Sequence, residues 1–491
     1  MVFAVVTFLK MHAETRQCMG VPFITEEELI EKAVNPVELG NIVYLEDQLA
    51  PYDHIQDKLY LTCSIEEDTK FYQLEGKMKS FLPDYDLYFL WESGFDILRE
   101  AVKNCNRFTL YAINAEGNYD TYYVNFTTLP VVELQGTVAG IDDRERELNY
   151  GKILVWDPSY LETGHLKVQE SLLEWHVRGY SSMSFQKKSL KLNLKNKNGS
   201  NHNLTFLDFE SDDDYILNPM WFDDLKVREL LAMNLWNEIA QEKGGTLKMS
   251  QGAYCELLIN GEYQGLRLMQ NKIEKKYLKL DDNDILLKGN NVNLGTKKPP
   301  QEVYEVVYST QDENVTYQTI SDFFYMTDFS NVNLESWVDL QLFLQLGNMI
   351  DNETYKNIYY VIERDEKESL SFVPWDTDMS FGVYWNDGFR YIPESVERIT
   401  YREEYEELLE QFPQLNDMLR DRWKELRTTV YAEENIFTKI DHYYWNVLVS
   451  GAIYRDFNVL GWYSWGGEDT LGNLKNYVQQ RLQILDEWYG I

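Results

Sequence analysis

The chain has 491 residues, 44% hydrophobic and 14% aromatic, which is ample for a large core in more than one domain and too apolar for a disordered chain. Its 46 Lys and Arg stand against 81 Asp and Glu, a formal net charge of −35 at pH 7. Such a field repels nucleic acid and anionic membranes and favours a basic protein partner, unless it serves solubility alone.

In chain order, "VFAVVTFL" at residues 2–9 resembles the apolar core of a signal peptide, without a basic start or a clear small-residue cleavage site. No segment reaches the roughly 18 to 20 apolar residues that span a bilayer, so no integral membrane span is expected. Cys18, Cys63, Cys105 and Cys255 form no C-x-x-C pair, and no H-E-x-x-H occurs, so a zinc site has no support. A Cys63–Cys105 disulfide is left open.

From about residue 40 to 130, "KLYLTCSI", "FTLYAIN" and "DTYYVNFTTL" alternate apolar with polar residues and predict a β-rich module. "LPVVELQG" then reads as the entry strand of a larger unit, placing a boundary between 1–128 and 129–491. "EWHVRGYSSMSF" and "KKSLKLNLK" are strand-like. Leu225, Leu230, Leu231, Leu235, Trp236 and Ile239 recur at helical spacing in a segment ending at Gly244. "AYCELLINGEYQGLRLMQNKIE" predicts a hairpin turning at Asn260-Gly261, a dipeptide suited to a type I′ turn. "NLESWVDLQLFLQLGNMI" is apolar almost all round and predicts a buried helix; "NIYYVIERDEKESLSFVPWD" predicts two strands with a charged turn, and most of the remaining chain is amphipathic helix.

The second of those strands runs into "VPWDTDMSFG". In an extended segment residues i and i+2 point the same way, so Asp376 and Asp378 would offer hard oxygen ligands to one cation, with Gly382 allowing an abrupt turn. The alternative is an acidic surface turn. Upstream, Asp351 precedes Asn357 by six residues. An Asp, then an Asn, then a hairpin leading to an Asp with a nearby Phe-Gly is the order of H-R-D-x-x-x-x-N and D-F-G in protein kinases, with the first spacing one residue longer here. Phosphoryl transfer needs a carboxylate to hold the acceptor hydroxyl, the role open to Asp351, and oxygen ligands for magnesium, the role open to Asn357 and Asp376. A helix-ending turn is the other account of Asp351.

"RGYSSMSFQKKSLKLNLK" supplies cations for a triphosphate: Arg178, Lys187, Lys188 and Lys191, around Gly179, Ser181 and Ser182 whose backbone N–H groups and hydroxyls suit phosphate oxygens. Strand alternation sets Lys188 with Leu190 and Leu192 on the core side, making Lys188 the candidate interior lysine and Lys191 the candidate on a cleft rim. A basic surface strand is the alternative.

Taken together, "RGYSSMSFQKKS" with its alternating strand, "LINGEYQGLRLM", "LLKG", "NMID" with "NIYY", and "PWDTDMSFG" resemble the CotH family of atypical protein kinases, over about residues 130–490. The resemblance implies an α+β, divergent two-lobed protein-kinase-like fold with an added β-rich N-terminal module, and nucleotide and magnesium in its cleft. It implies ATP- and Mg2+-dependent phosphorylation of serine or threonine hydroxyls on protein substrates, basic and Ser-rich coat or surface proteins, with no nucleic-acid partner. It gives Asp351 the catalytic role and Asp376 and Asn357 the metal, while Asp378 joins the metal ligands on the i, i+2 reading alone. Arg178, Ser181 and Ser182 are assigned to phosphate, with the lysine divided between Lys188 and Lys191. A spore-coat, cell-surface or secreted location is favoured over a cytoplasmic one. Where relatives tend to carry an acid after the hairpin, this chain has Asn271, which accepts a hydrogen bond but supplies no charge; Glu274 is the nearby substitute. The runner-up is a non-catalytic coat scaffold or adhesin of the same fold. A carbohydrate-active enzyme using paired carboxylates accounts for the aromatic content but not for the cationic strand.

Overall fold

A computed structural model describes residues 17–491 except 67–68, 75, 92–97, 104–107, 142–145, 159–165, 180, 290–299, 325–328, 354–355, 365–367, 384–390, 403 and 463–468. The signal-like stretch at 2–9 and Cys105 therefore lie outside the described residues; Cys63 is a free, buried thiol. The chain divides into two compact units, one of Met1–Pro219, Ala253–Met269 and Trp445–Tyr463, the other of Met220–Gly252, Gln270–Tyr444 and Ser464–Ile491.

In the first unit the alternating segments before residue 130 become strands Lys58–Thr62, Phe108–Asn114 and Asn118–Thr127 of an eight-stranded sheet. Because side chains alternate along a strand, Phe108, Leu110 and Ala112 all point into one core. There Phe71 packs on Phe89, Phe108 and Phe126 with ring centroids 4.9–5.6 Å apart, pairs that each add about 0.5–1.5 kcal/mol beyond area burial.

Strands between residues 131 and 271 form a closed barrel in which Val131–Gly136 pairs antiparallel with Asn149–Asp157 and parallel with Gly252–Ile259. Closure removes the exposed edges that open sheets must protect. Leu173, Trp175, Leu190, Leu192, Leu257 and Met269 belong to its core. The hairpin between Gly252–Ile259 and Glu262–Asn271 turns at Asn260 (φ 48°) and Gly261 (φ 70°), both left-handed as a type I′ turn requires. The Asn260 amide also donates to Gly136 O and accepts from Gly136 N–H, at 3.0 and 2.8 Å, pinning the turn to the neighbouring strand. Behind the hairpin, Arg455 pairs with Glu256 and Lys187 with Asp456, all four buried.

The second unit contains a four-stranded sheet in the order Tyr304–Tyr308, Ile285–Gly289, Ile358–Arg364, Glu368–Pro374. Helix Leu334–Gly347 packs on the last of these strands and on helices Arg228–Glu242, Leu415–Arg427 and Leu471–Tyr489. Surrounded in this way, it is buried almost all round, as its sequence predicts. Asn333 caps it by accepting from Ser336 N–H, and Asn348 (φ 47°) ends it in the left-handed conformation. No helix among the described residues is long and apolar enough to cross a membrane.

Candidate active site

The left-handed turn at Asn348 stops the buried helix and leads into a short 3-10 turn, Ile350–Asn352, that carries Asp351. Asn352 is fully buried and fixes this turn. Its Nδ2 donates to Asn357 O at 3.0 Å and to Trp375 O at 2.7 Å, while Arg402 Nη1 donates to Asn352 O at 3.2 Å. Trp375 N–H donates to Asn357 O at 2.9 Å. One amide thus joins the Asp351 turn, the start of the hairpin and its end.

The Asp351 carboxylate accepts from Lys356 Nζ at 2.7 and 2.6 Å and from Asn357 Nδ2 at 2.8 Å. Asn357 is left-handed (φ 58°) and nearly buried. Because its NH2 donates to Asp351, its side-chain carbonyl oxygen is the atom of this amide with the chemistry to accept a donor or a cation.

The geometry expected for Asp376 and Asp378 is corrected. Strand Glu368–Pro374 ends before them, and Asp376 has φ 55°, so the pair is not carried on extended backbone. A non-glycine residue held in this region is strained, a condition that concentrates at functional sites. Phe381 N–H donates to Gly347 O at 2.8 Å and Ser380 Oγ to Thr377 O at 2.6 Å, closing the loop as a compact turn. Thr377 Oγ1 donates to Glu229 Oε2 at 3.1 Å. Glu229 opens helix Arg228–Glu242, which is anchored by Arg228 in its ion pairs with Asp223 and Asp469. Desolvation first, then the carboxylates of Asp376, Glu229 and Asp351, push the Asp378 carboxyl well above the usual range. Four acids therefore share one field of mutual repulsion, but among the described residues they do not bring three carboxylate oxygens within 4.8 Å of one another as a ready-made metal cluster.

The expected phosphate-binding cations lie in the first unit. Lys188 is not the interior lysine: strand Ser189–Lys195 begins after it, and its Nζ turns back to donate to Met183 O at 2.9 Å. Lys187 is interior instead, its Nζ 2.7 and 2.9 Å from the Asp456 carboxylate oxygens. The alternation itself holds for Leu190, Leu192 and Leu194, which are buried. It fails at 187 and 188 because residues 181–184 are a 3-10 turn and the extended register starts only at Ser189. Lys191 is half-buried and pairs with Asp214 at 3.4 Å. Arg178 Nη1 donates to Ser189 Oγ at 3.5 Å. Gly179 is left-handed (φ 109°), and a Cβ there would stand 1.9 Å from Ser182 Oγ, so the Gly179–Ser182 approach requires glycine. The side chain of Ser181 lies outside the described residues.

The family described as CotH kinase protein matches residues 175–485, which takes in both groups of residues. The chain belongs to the CotH family. No curated protein matches it.

Two residues of this CotH chain near the acids do not stand out in its sequence. Lys356 is visible there only as a charge beside Asn357, and Glu229 reads as an ordinary acid in the first turn of a helix. Lys288, in the "LLKG" strand, sits 5.8 Å from the centroid of Trp375 and 5.9 Å from that of Tyr359. The departure at Asn271 is also buried. Its backbone O accepts from Ser250 Oγ at 2.7 Å, while both polar atoms of its side chain lack a hydrogen-bond partner. Glu274 lies beyond the strand and pairs with Lys272 at 3.3 Å.

Proposed function

We propose that this CotH chain is an ATP- and magnesium-dependent protein kinase acting on serine or threonine hydroxyls. The single observation that carries the reading is Asp351, held by Lys356 and Asn357 and electrostatically coupled to the acidic group around Asp378. On this reading the fold is a divergent two-lobed kinase, with the barrel unit as the counterpart of the nucleotide-binding lobe and the helical unit as that of the catalytic lobe.

Asp351 would orient the acceptor hydroxyl and take its proton as the hydroxyl oxygen bonds to the γ-phosphorus and the bond to ADP breaks. Asp376, Asp378 and the Asn357 oxygen would hold magnesium, which supplies charge neutralisation for the phosphates. Lys356 keeps the Asp351 carboxylate in place. Arg178, Ser181, Ser182, Lys188 and Lys191 are assigned to the phosphates of ATP. With a net charge of −35, the acceptors would be basic and Ser-rich proteins, in keeping with a coat or surface location. Peptides of matched length carrying Lys, Gln or Glu around one serine, incubated with labelled ATP and magnesium at low and physiological salt, test this. The basic peptide should be labelled fastest, with an advantage that shrinks as the Debye length falls from roughly 30 Å to about 8 Å. No label in any peptide would favour the scaffold or adhesin reading, for which the uncharged Asn271 is the one specific argument.

A further inference from the structure

Beside the Asn260-Gly261 hairpin the first unit holds a pocket of about 370 Å³, within the range of small-molecule sites. Of the residues assigned to ATP or metal above, only Lys188 lines it. Lys187, Arg267, His54 and Trp462 line it too, and Glu262 is the one carboxylate among the lining residues. Three side-chain cations are thus gathered in a chain of strongly negative net charge.

Arg267 is the unusual member. It is 3% exposed on strand Glu262–Asn271. Its Nη1 donates to Gln264 O at 2.6 Å and Leu266 O at 3.1 Å, while its Nε has no hydrogen-bond partner. The nearby carboxylate, Asp456, is already engaged: Lys187 bonds both its oxygens, and Leu266 N–H donates to Oδ1 at 3.0 Å. Burial pushes the Arg267 guanidinium down to about 10, with Asp456 only partly offsetting the loss. A buried guanidinium normally has a carboxylate on its fork; among the described residues Arg267 has none. The Trp462 ring lies 5.4 Å from the Arg267 guanidinium carbon and 4.9 Å from Lys187 Nζ. Gly265 makes room for this contact, since a Cβ there would stand 2.4 Å from both Trp462 and the Asp456 carboxylate. The apolar Leu190 and Ile259 complete a lining that is cationic on one part and greasy on another.

We propose that this pocket binds a small organic anion, whose phosphate or carboxylate is taken by Arg267 with Lys188 and whose planar or apolar part rests against Trp462, Leu190 and Ile259. An oxyanion supplies the acceptors that the Arg267 fork lacks, and guanidinium geometry suits phosphate and carboxylate alike. The proposal does not rest on the kinase reading, and it places Lys188 in this pocket, which leaves Lys191 as the lysine for the phosphates of ATP.

Calorimetric titration of the full chain, without nucleotide or magnesium, with inorganic phosphate, phenyl phosphate and benzoate tests it, because none of the three is a nucleotide. At least one should bind saturably, and the preferred oxyanion identifies the group that the pocket takes. Arg267→Met, checked for folding by its melting curve, should weaken that binding by about tenfold or more, and Arg267→Lys by less. Because Arg267→Met removes a buried side chain, Glu262→Gln on the exposed rim provides a second, structurally mild arm. Removing that carboxylate should tighten binding severalfold. Absence of binding by all three probes up to about 10 mM, or an affinity that Glu262→Gln fails to raise, would overturn the proposal.

Discussion

The Asn357 Nδ2 donates to the Asp351 carboxylate across 2.8 Å, and the neighbouring Lys356 Nζ reaches the same carboxylate at 2.6 Å. Two consecutive residues therefore orient one acid from donors of different strength. On the kinase reading, Lys356→Met leaves Asp351 in place but loosely held, and kcat should fall about 10-fold to 100-fold. The pair is partly exposed, so its loss should change stability by no more than about 1 kcal/mol. Steady-state kinetics and a melting curve on the same sample separate the two effects.

On the same kinase reading, Asp376→Asn removes a metal-binding charge without changing shape, and should lower phosphoryl transfer about 100-fold to 1000-fold. ATP affinity measured with and without magnesium distinguishes it from Asp351→Asn. Only Asp376→Asn should lose the magnesium dependence of binding.

Asn352→Ala should destabilise the second unit by about 2–4 kcal/mol, because it strips the buried donor from two carbonyls, Asn357 O and Trp375 O, at once. Urea unfolding measures this. A wild-type midpoint in the variant would mean that the turn is held by other bonds.

Among the lysines, Lys187→Met should cost about 3–5 kcal/mol of stability by leaving Asp456 buried without its ion-pair partner. Lys188→Met and Lys191→Met should stay within about 1 kcal/mol of the wild type. Of those two, the variant with the weaker ATP affinity names the phosphate lysine.

The parts of the fold legible in the sequence are those where one local rule decides. Asn260-Gly261 admits few backbone turns other than the one found, and the helix at Leu334–Gly347 is apolar almost all round because other elements cover it on most sides. The active-site candidates Asp351, Asn357 and Asp376 stood out by type and order. Their geometry did not, because Asp376 and Asn357 adopt left-handed backbone that a period-2 reading cannot anticipate. The lysine register failed for a related reason: no alternation applies across a 3-10 turn. Glu229 was hidden because it comes from a helix some 150 residues upstream of Asp378, and only folding brings the two charges together.

The most direct measurement is incorporation of labelled phosphate from ATP into a basic serine peptide by wild-type protein, Asp351→Asn and Asp376→Asn side by side, with and without magnesium. The account predicts magnesium-dependent labelling by the wild type and a loss of about 100-fold or more in both variants. No labelling by the wild type, or equal labelling by all three, would contradict it.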